Sequence, residues 1–211
     1  MSKTKRNYTI STTFDVKYIY MTHPEAYKLL TKYLTDKKLL KHSLATEAAM
    51  KALYKRITPK EKYNKAEEEK WSIVGLLHDA DYEITRGEPE KHGMRLIEKE
   101  HDTIPQDIAY AIQAHNYKYT KVNPKSLMDW AITTCDQLTG IIAACALLQP
   151  DRRIYLLTHE FVLGKFQDKS FAKGADRATI LLCETTLGLK LEEFIKVVLG
   201  GMQIIGRELE L

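Results

Sequence analysis

The stretch GLLHDADYE, residues 75–83, places His78, Asp79 and Asp81 directly behind two leucines that read as core. Other residues of the same types fall on apolar helix faces. His115 follows Ile108, Ala111 and Ile112 at spacings of seven, four and three, which sets it on the buried stripe of a helix. His78 continues the line Trp71, Val74, and His42 shares a face with Ala45, Ala49 and Leu53, while Asp136 lies among Ile132, Gly140 and Ala143. A buried carboxylate costs on the order of several kcal/mol unless it is paired or binds a metal, so Asp79 and Asp136 need partners. Each residue alone has an ordinary reading, as a hydrogen-bonded core histidine or a helix-capping aspartate. Taken together, imidazoles and carboxylates without a thiolate suit a catalytic Mn, Fe, Co, Ni or Zn site with open positions better than a closed structural zinc site.

The elements that must position these groups read as all-α. Thr22-His-Pro-Glu25 is a capping box with proline in the first turn, which predicts a helix to about Leu34. Asp36 can cap a second helix through Ile57, and the acidic segment Lys65 to Lys70 leads into a third that ends at the GLLHDADYE motif. A fourth helix is expected over about Glu90 to His101. Pro105 opens a fifth, carrying His115, and Pro124 introduces a long sixth to about Gln149. Two or three more should follow after Pro150, broken near Gly164, near Gly174 and at residues 186–189, with the last ending near Gly206. Before Thr22, Phe14, Val16, Tyr18 and Tyr20 alternate with a period nearer two, so residues 1–21 read as a non-helical arm. The expected organisation is that arm followed by a single helical domain over 22–211, with its core at about 37–149 and a C-terminal helical extension at 150–211.

Composition narrows the class. Apolar residues at 44% and charged residues at 28%, with few prolines and glycines, mark a globular rather than a disordered or fibrous chain. The longest unbroken apolar run, Ile141 to Leu148, is well short of the roughly 20 residues of a membrane span, so no membrane association is expected. Cys135, Cys145 and Cys183 are odd in number and form no CxxC pair, which suits free thiols and a cytoplasmic location. The net charge of +4 tolerates anionic ligands, but its charges are interleaved and nucleic-acid binding is not indicated.

His42, the doublet His78-Asp79 and Asp136, in that order on a helical chain, resemble the H…HD…D set of the HD-domain superfamily of metal-dependent phosphohydrolases. LLKHSLATE around His42, GLLHDADYE around the doublet and CDQLTGIIAACALLQP around Asp136 look like the corresponding segments of small stand-alone HD proteins. KFQDKSFAKGADR, residues 165–177, is similar to their C-terminal segment, which extends the likeness over about residues 25–205. The resemblance implies that His42, His78, Asp79 and Asp136 bind one divalent metal. It further implies that Asp79 bridges to a second, with His92 and His115 as the additional ligands of binuclear members.

The chemistry implied is hydrolysis of a small phosphorylated substrate, such as a nucleotide, by a water whose pKa is lowered towards about 7 at the metal. Asp79 would be catalytic with Asp81, which can orient or deprotonate that water, hold a ligand histidine, or simply make local backbone bonds. Lys118 and Arg177 are the cations chosen for the substrate phosphate. Two other functions stay open: a metal- and nucleotide-binding regulatory module without turnover, and a nuclease.

Overall fold

In the computed structural model residues 20–211 are described, and every regular element among them is helical. The chain runs through α1 (His23–Tyr33), α2 (Lys37–Ile57), α3 (Lys65–Leu77), α4 (Met94–Glu100), α5 (Gln106–His115) and the short α6 (Tyr117–Thr120). It continues through α7 (Leu127–Leu147), α8 (His159–Gln167), α9 (Arg177–Leu181), α10 (Cys183–Thr186), α11 (Leu191–Ile204) and α12 (Gly206–Leu209). The all-α reading of the sequence therefore holds. The alternating arm lies outside the described residues except for Tyr20, whose hydroxyl donates to Glu69 at 3.1 Å, and the buried Met21.

Local chemistry sets the helix starts. The Thr22 backbone N–H and hydroxyl both donate to Glu25 at 2.8 Å, closing the start of α1. Asp36 accepts from the Lys38 N–H at 2.7 Å, and Asn64 accepts from that of Ala66 at 2.8 Å, satisfying donors that a helix start leaves free. Two starts lie later than expected. The long helix α7 begins at Leu127, because Ser126 and Asp129 form a reciprocal cap (3.0 and 3.1 Å). The fourth helix begins at Met94, after Gly93 at φ 80, a conformation that favours glycine. A third departure is that α8 runs straight through Gly164. Glycine costs a helix about 1 kcal/mol relative to alanine, and burial of Val162 and Phe166 outweighs it.

The centre of the bundle is α2, which packs on α3, α7 and α11, while α5 closes the far side against α3 and α7. Close approach of α2 and α3 depends on Gly75, where a Cβ would stand 2.7 Å from the Thr46 carbonyl oxygen and 2.8 Å from the Glu47 backbone. From Trp71 to Leu77 every residue of α3 is buried. Each large apolar side chain so buried contributes roughly 1.5–3 kcal/mol, which pins the end of the helix that carries the doublet. By length and composition α7 could cross a membrane, but 61% of its most apolar window is buried within the fold. One apolar cluster runs from Met21 to Leu209.

Candidate metal centre

Four helices and one loop deliver six side chains to one place. His42 comes from the second turn of α2, His78 and Asp79 from the end of α3, His115 from the last residue of α5, Asp136 from the middle of α7, and His92 from the loop before α4. Donor atoms of His42, His78, Asp79 and Asp136 all lie within 4.8 Å of one another, as do those of Asp79, His92 and His115. Asp79 belongs to both groups. Its Oδ2 is 3.5 Å from His42 Nε2, and its Oδ1 is 3.4 Å from His78 Nε2, 2.9 Å from His92 Nε2 and 3.7 Å from His115 Nε2. Asp136 Oδ1 lies 2.8 Å from His42 Nε2 and 3.3 Å from His78 Nε2.

The outward nitrogens fix how the rings are used. His78 Nδ1 meets the Gly75 carbonyl at 2.8 Å, and His115 Nδ1 meets that of Ile112 at 2.5 Å. A carbonyl only accepts, so both Nδ1 atoms carry the proton and both Nε2 lone pairs face the cluster. His92 Nδ1 donates to Asp81 at 2.9 Å in the same manner, and His42 Nδ1 lies 3.4 Å from the Thr139 hydroxyl. The Nε2 atoms of His42 and His78 come within 3.3 Å, and those of His92 and His115 within 3.1 Å. Facing lone pairs repel unless a proton or a cation stands between them.

In the metal-free chain protons take that place. Burial pulls His42 down, but the hydrogen bond and charge of Asp136, with the charge of Asp79, override it and raise the ring to about 9. Burial likewise opposes protonation of His92, and Asp79 and Asp81 raise it to about 10. Burial, then the charges of His92 and His78, lower His115 to about 4. Against the effect of burial, the histidines hold Asp79 and Asp136 below the usual carboxylate range. The donor set is convergent and buried, with lone pairs aimed inward and compensating acidic charge, so these two groups can hold a metal ion.

Most of the residues singled out in the sequence meet here, each in a particular setting. The His92 side chain is only 12% exposed, despite its charged neighbours in sequence. Asp136 is not in the middle of an apolar stripe. Ile132 is buried, but Gly140 is exposed and Ala143 half-buried, so Asp136 sits at the edge of the buried face. Asp81 is fully buried. Beyond His92, its carboxylate accepts from Gly93 N at 3.0 Å to each oxygen and from Leu96 N at 3.0 Å. That places Asp81 behind the His92 ring, as the cap of α4, and its carboxylate oxygens are engaged there.

The two candidate phosphate cations differ. Arg177 donates through Nε to Phe166 O at 2.7 Å and through Nη2 to Phe171 O at 2.6 Å and Asp168 O at 3.0 Å. Its guanidinium is spent stapling the 168–176 loop, so the phosphate role expected for Arg177 does not stand. Lys118 is half-exposed and paired with Asp176. Its link to the cluster runs through Gln137, which accepts from Asp176 N at 3.1 Å and donates to Asp136 Oδ2 at 2.8 Å. Gln137, Thr139, Gly75 and Gly93 were not singled out from the sequence. The local signal for Gly75 was its position three residues before a helix-ending histidine. Gly93 is required twice over, since a Cβ there would meet Ile112 O at 2.8 Å and His115 Cε1 at 3.3 Å.

Comparison of the chain with known family models, with curated proteins and with solved structures gives no match in any of the three.

Proposed function

We propose that the chain is a metal-dependent phosphohydrolase of the HD superfamily, hydrolysing a phosphate ester of a small metabolite or nucleotide. The observation that carries the reading is the convergence of His42, His78, Asp79 and Asp136 into one group that shares Asp79 with His92 and His115. Under it the first four residues hold one divalent cation of the Mn, Fe, Co, Ni or Zn type, and Asp79, His92 and His115 hold a second. Such cations supply, when bound, a nucleophilic water at neutral pH and a counter-charge for a phosphoryl oxygen.

Two backbone carbonyls and one carboxylate do the orienting. Gly75 O and Ile112 O keep the Nε2 atoms of His78 and His115 available, and Asp81 does so for His92. Asp79 contributes charge to both groups. His42, whose side chain at 23% is the most exposed of the six, marks the side from which a substrate reaches the centre. Lys118, three hydrogen-bonded steps from Asp136 through Asp176 and Gln137, is the cation available to a phosphate if it exchanges Asp176 for substrate.

Purified protein supplied with Mn, Co, Ni or Fe and assayed on a panel of phosphomonoesters and nucleotides should show turnover that Asp79→Ala abolishes. Absence of metal-dependent product overturns the proposal. Calorimetric nucleotide binding without product would point instead to a regulatory binding module.

A further inference from the structure

Four leucine or isoleucine side chains are more than half exposed among the described residues, and all four lie where α7, the 154–156 turn and α11 end: Leu147 at 55%, Leu148 at 53%, Leu156 at 53% and Ile204 at 83%. Tyr155, at 59%, joins them. Leu147 and Leu148 finish α7, Tyr155 and Leu156 belong to the single 3-10 turn Ile154–Leu156, and Ile204 is the last residue of α11. These pieces are tied together. Gln203 donates from its side chain to Ile154 O at 3.1 Å and Leu157 O at 3.0 Å. The connection from α7 is tight, with Arg152 N bonded to Gln149 O at 3.0 Å. Tyr155 and Ile204 open on one cleft of about 1100 Å³, also lined by Arg152, Arg153, Arg207 and Glu208.

Leaving this many large side chains in water is unfavourable, since burying each fully is worth roughly 1.5–3 kcal/mol. Summed over the five side chains, of which Tyr155 and Ile204 share the cleft, the exposure is on the order of 500 Å², the upper range of what a monomer ordinarily leaves uncovered in one patch. A standard interface buries about 800 Å² on each partner. The apolar centre would supply most of that, and the charged rim the remainder.

The rim indicates the partner. Arg152, Arg153 and Arg207 stand among Asp151, Glu208 and Glu210 around the cleft, and Arg152, Arg153, Arg207 and Glu208 form no ion pair among the described residues. A two-fold contact sets a patch against its own copy, so the patch must carry both signs. An anionic membrane or a nucleic acid would call for one sign over the whole face. We infer that this end of the bundle is a two-fold interface between two copies of the chain. The inference does not depend on the phosphohydrolase reading.

Sedimentation velocity of the full chain, from about 1 to 100 µM, should give a mass twice the 24.3 kDa of one chain. The double variant Leu156→Glu, Ile204→Glu should dissociate at least ten times more readily while keeping its helical circular dichroism, because both positions are exposed. Leu148→Asp, on the other side of the patch, provides an independent disruption if the double variant folds poorly. A wild-type monomer throughout that range, or a dimer that neither variant weakens, overturns the inference. So does a monomer that co-floats with phosphatidylserine vesicles and loses that property in the variants, which would assign the face to a membrane.

Discussion

Replacing Asp81 with asparagine should cost the chain one metal and spare the other. The carboxylate is fully buried and accepts from His92 Nδ1, Gly93 N and Leu96 N at 2.9–3.0 Å. Asparagine keeps one acceptor oxygen and turns a donor group towards donors, so at least one buried N–H loses its partner. Leaving such a group unpaired costs about 1–3 kcal/mol, and with the weakened cap of α4 the total destabilisation is roughly 2–4 kcal/mol. Loss of the hydrogen bond that orients a ligand histidine typically lowers metal affinity about 10–100-fold. That loss should fall on the Asp79, His92 and His115 group, because none of Asp81's hydrogen bonds goes to His42, His78 or Asp136. Calorimetric titration of chelator-treated protein with Co or Mn should then show one class of site weakened and the other unchanged, alongside a lowered denaturation midpoint. Two ions bound with wild-type affinities, or equal weakening of both classes, would refute Asp81 as the residue that positions His92.

Other expectations bear on the same architecture. At pH 7 the metal-free chain carries protons on His42 and His92, raised to about 9 and about 10, so metal entry should release about two protons per chain, measurable by calorimetry in buffers of different ionisation enthalpy. The raised rings stabilise the metal-free fold fully below pH 6.5 and lose that effect as pH climbs through 9 and 10. The melting temperature of chelated protein should therefore fall across that window while the increment due to metal grows; a shrinking increment would contradict the protonation scheme. Gly75→Ala puts a Cβ against the α2 backbone, and such overpacking costs about 1–3 kcal/mol. By separating His42 from His78 it should also weaken metal binding, so a variant of wild-type stability and affinity would count against the close-approach argument. Arg177→Ala should destabilise by roughly 2–4 kcal/mol through loss of charge-assisted bonds to carbonyls, with metal stoichiometry unchanged, as followed by urea unfolding and elemental analysis.

Much of the architecture was legible because it is local. Capping residues and prolines marked the starts of α1, α2 and α5, and the 3.6 period put His42, His78 and His115 on inward faces. Even the ring orientation of His78 and His115 has a local cause. Both sit at helix ends and donate Nδ1–H to the carbonyl three residues back, one of the acceptors that a helix terminus leaves free. Periodicity turned Asp136 inward as well, and its side chain is 12% exposed, but the same line did not show that Gly140 faces solvent. Charged neighbours obscured His92, whose burial depends on Asp81 and on His115 arriving from another helix. Arg177 resembled a phosphate ligand by composition, and only the fold of the 168–176 loop shows its donors already engaged.

Helix identity and order, the inward-facing ligand types and the absence of a thiolate set follow from chain-local periodicity and side-chain chemistry. Convergence does not, since the six donors are spread over 95 residues, from His42 to Asp136. The packing of α2 on α3 at Gly75, and of α5 and α7 around that pair, brings them together. Long-range contacts of this kind depend on which surfaces fit, a property of the assembled bundle that no single stretch of chain encodes.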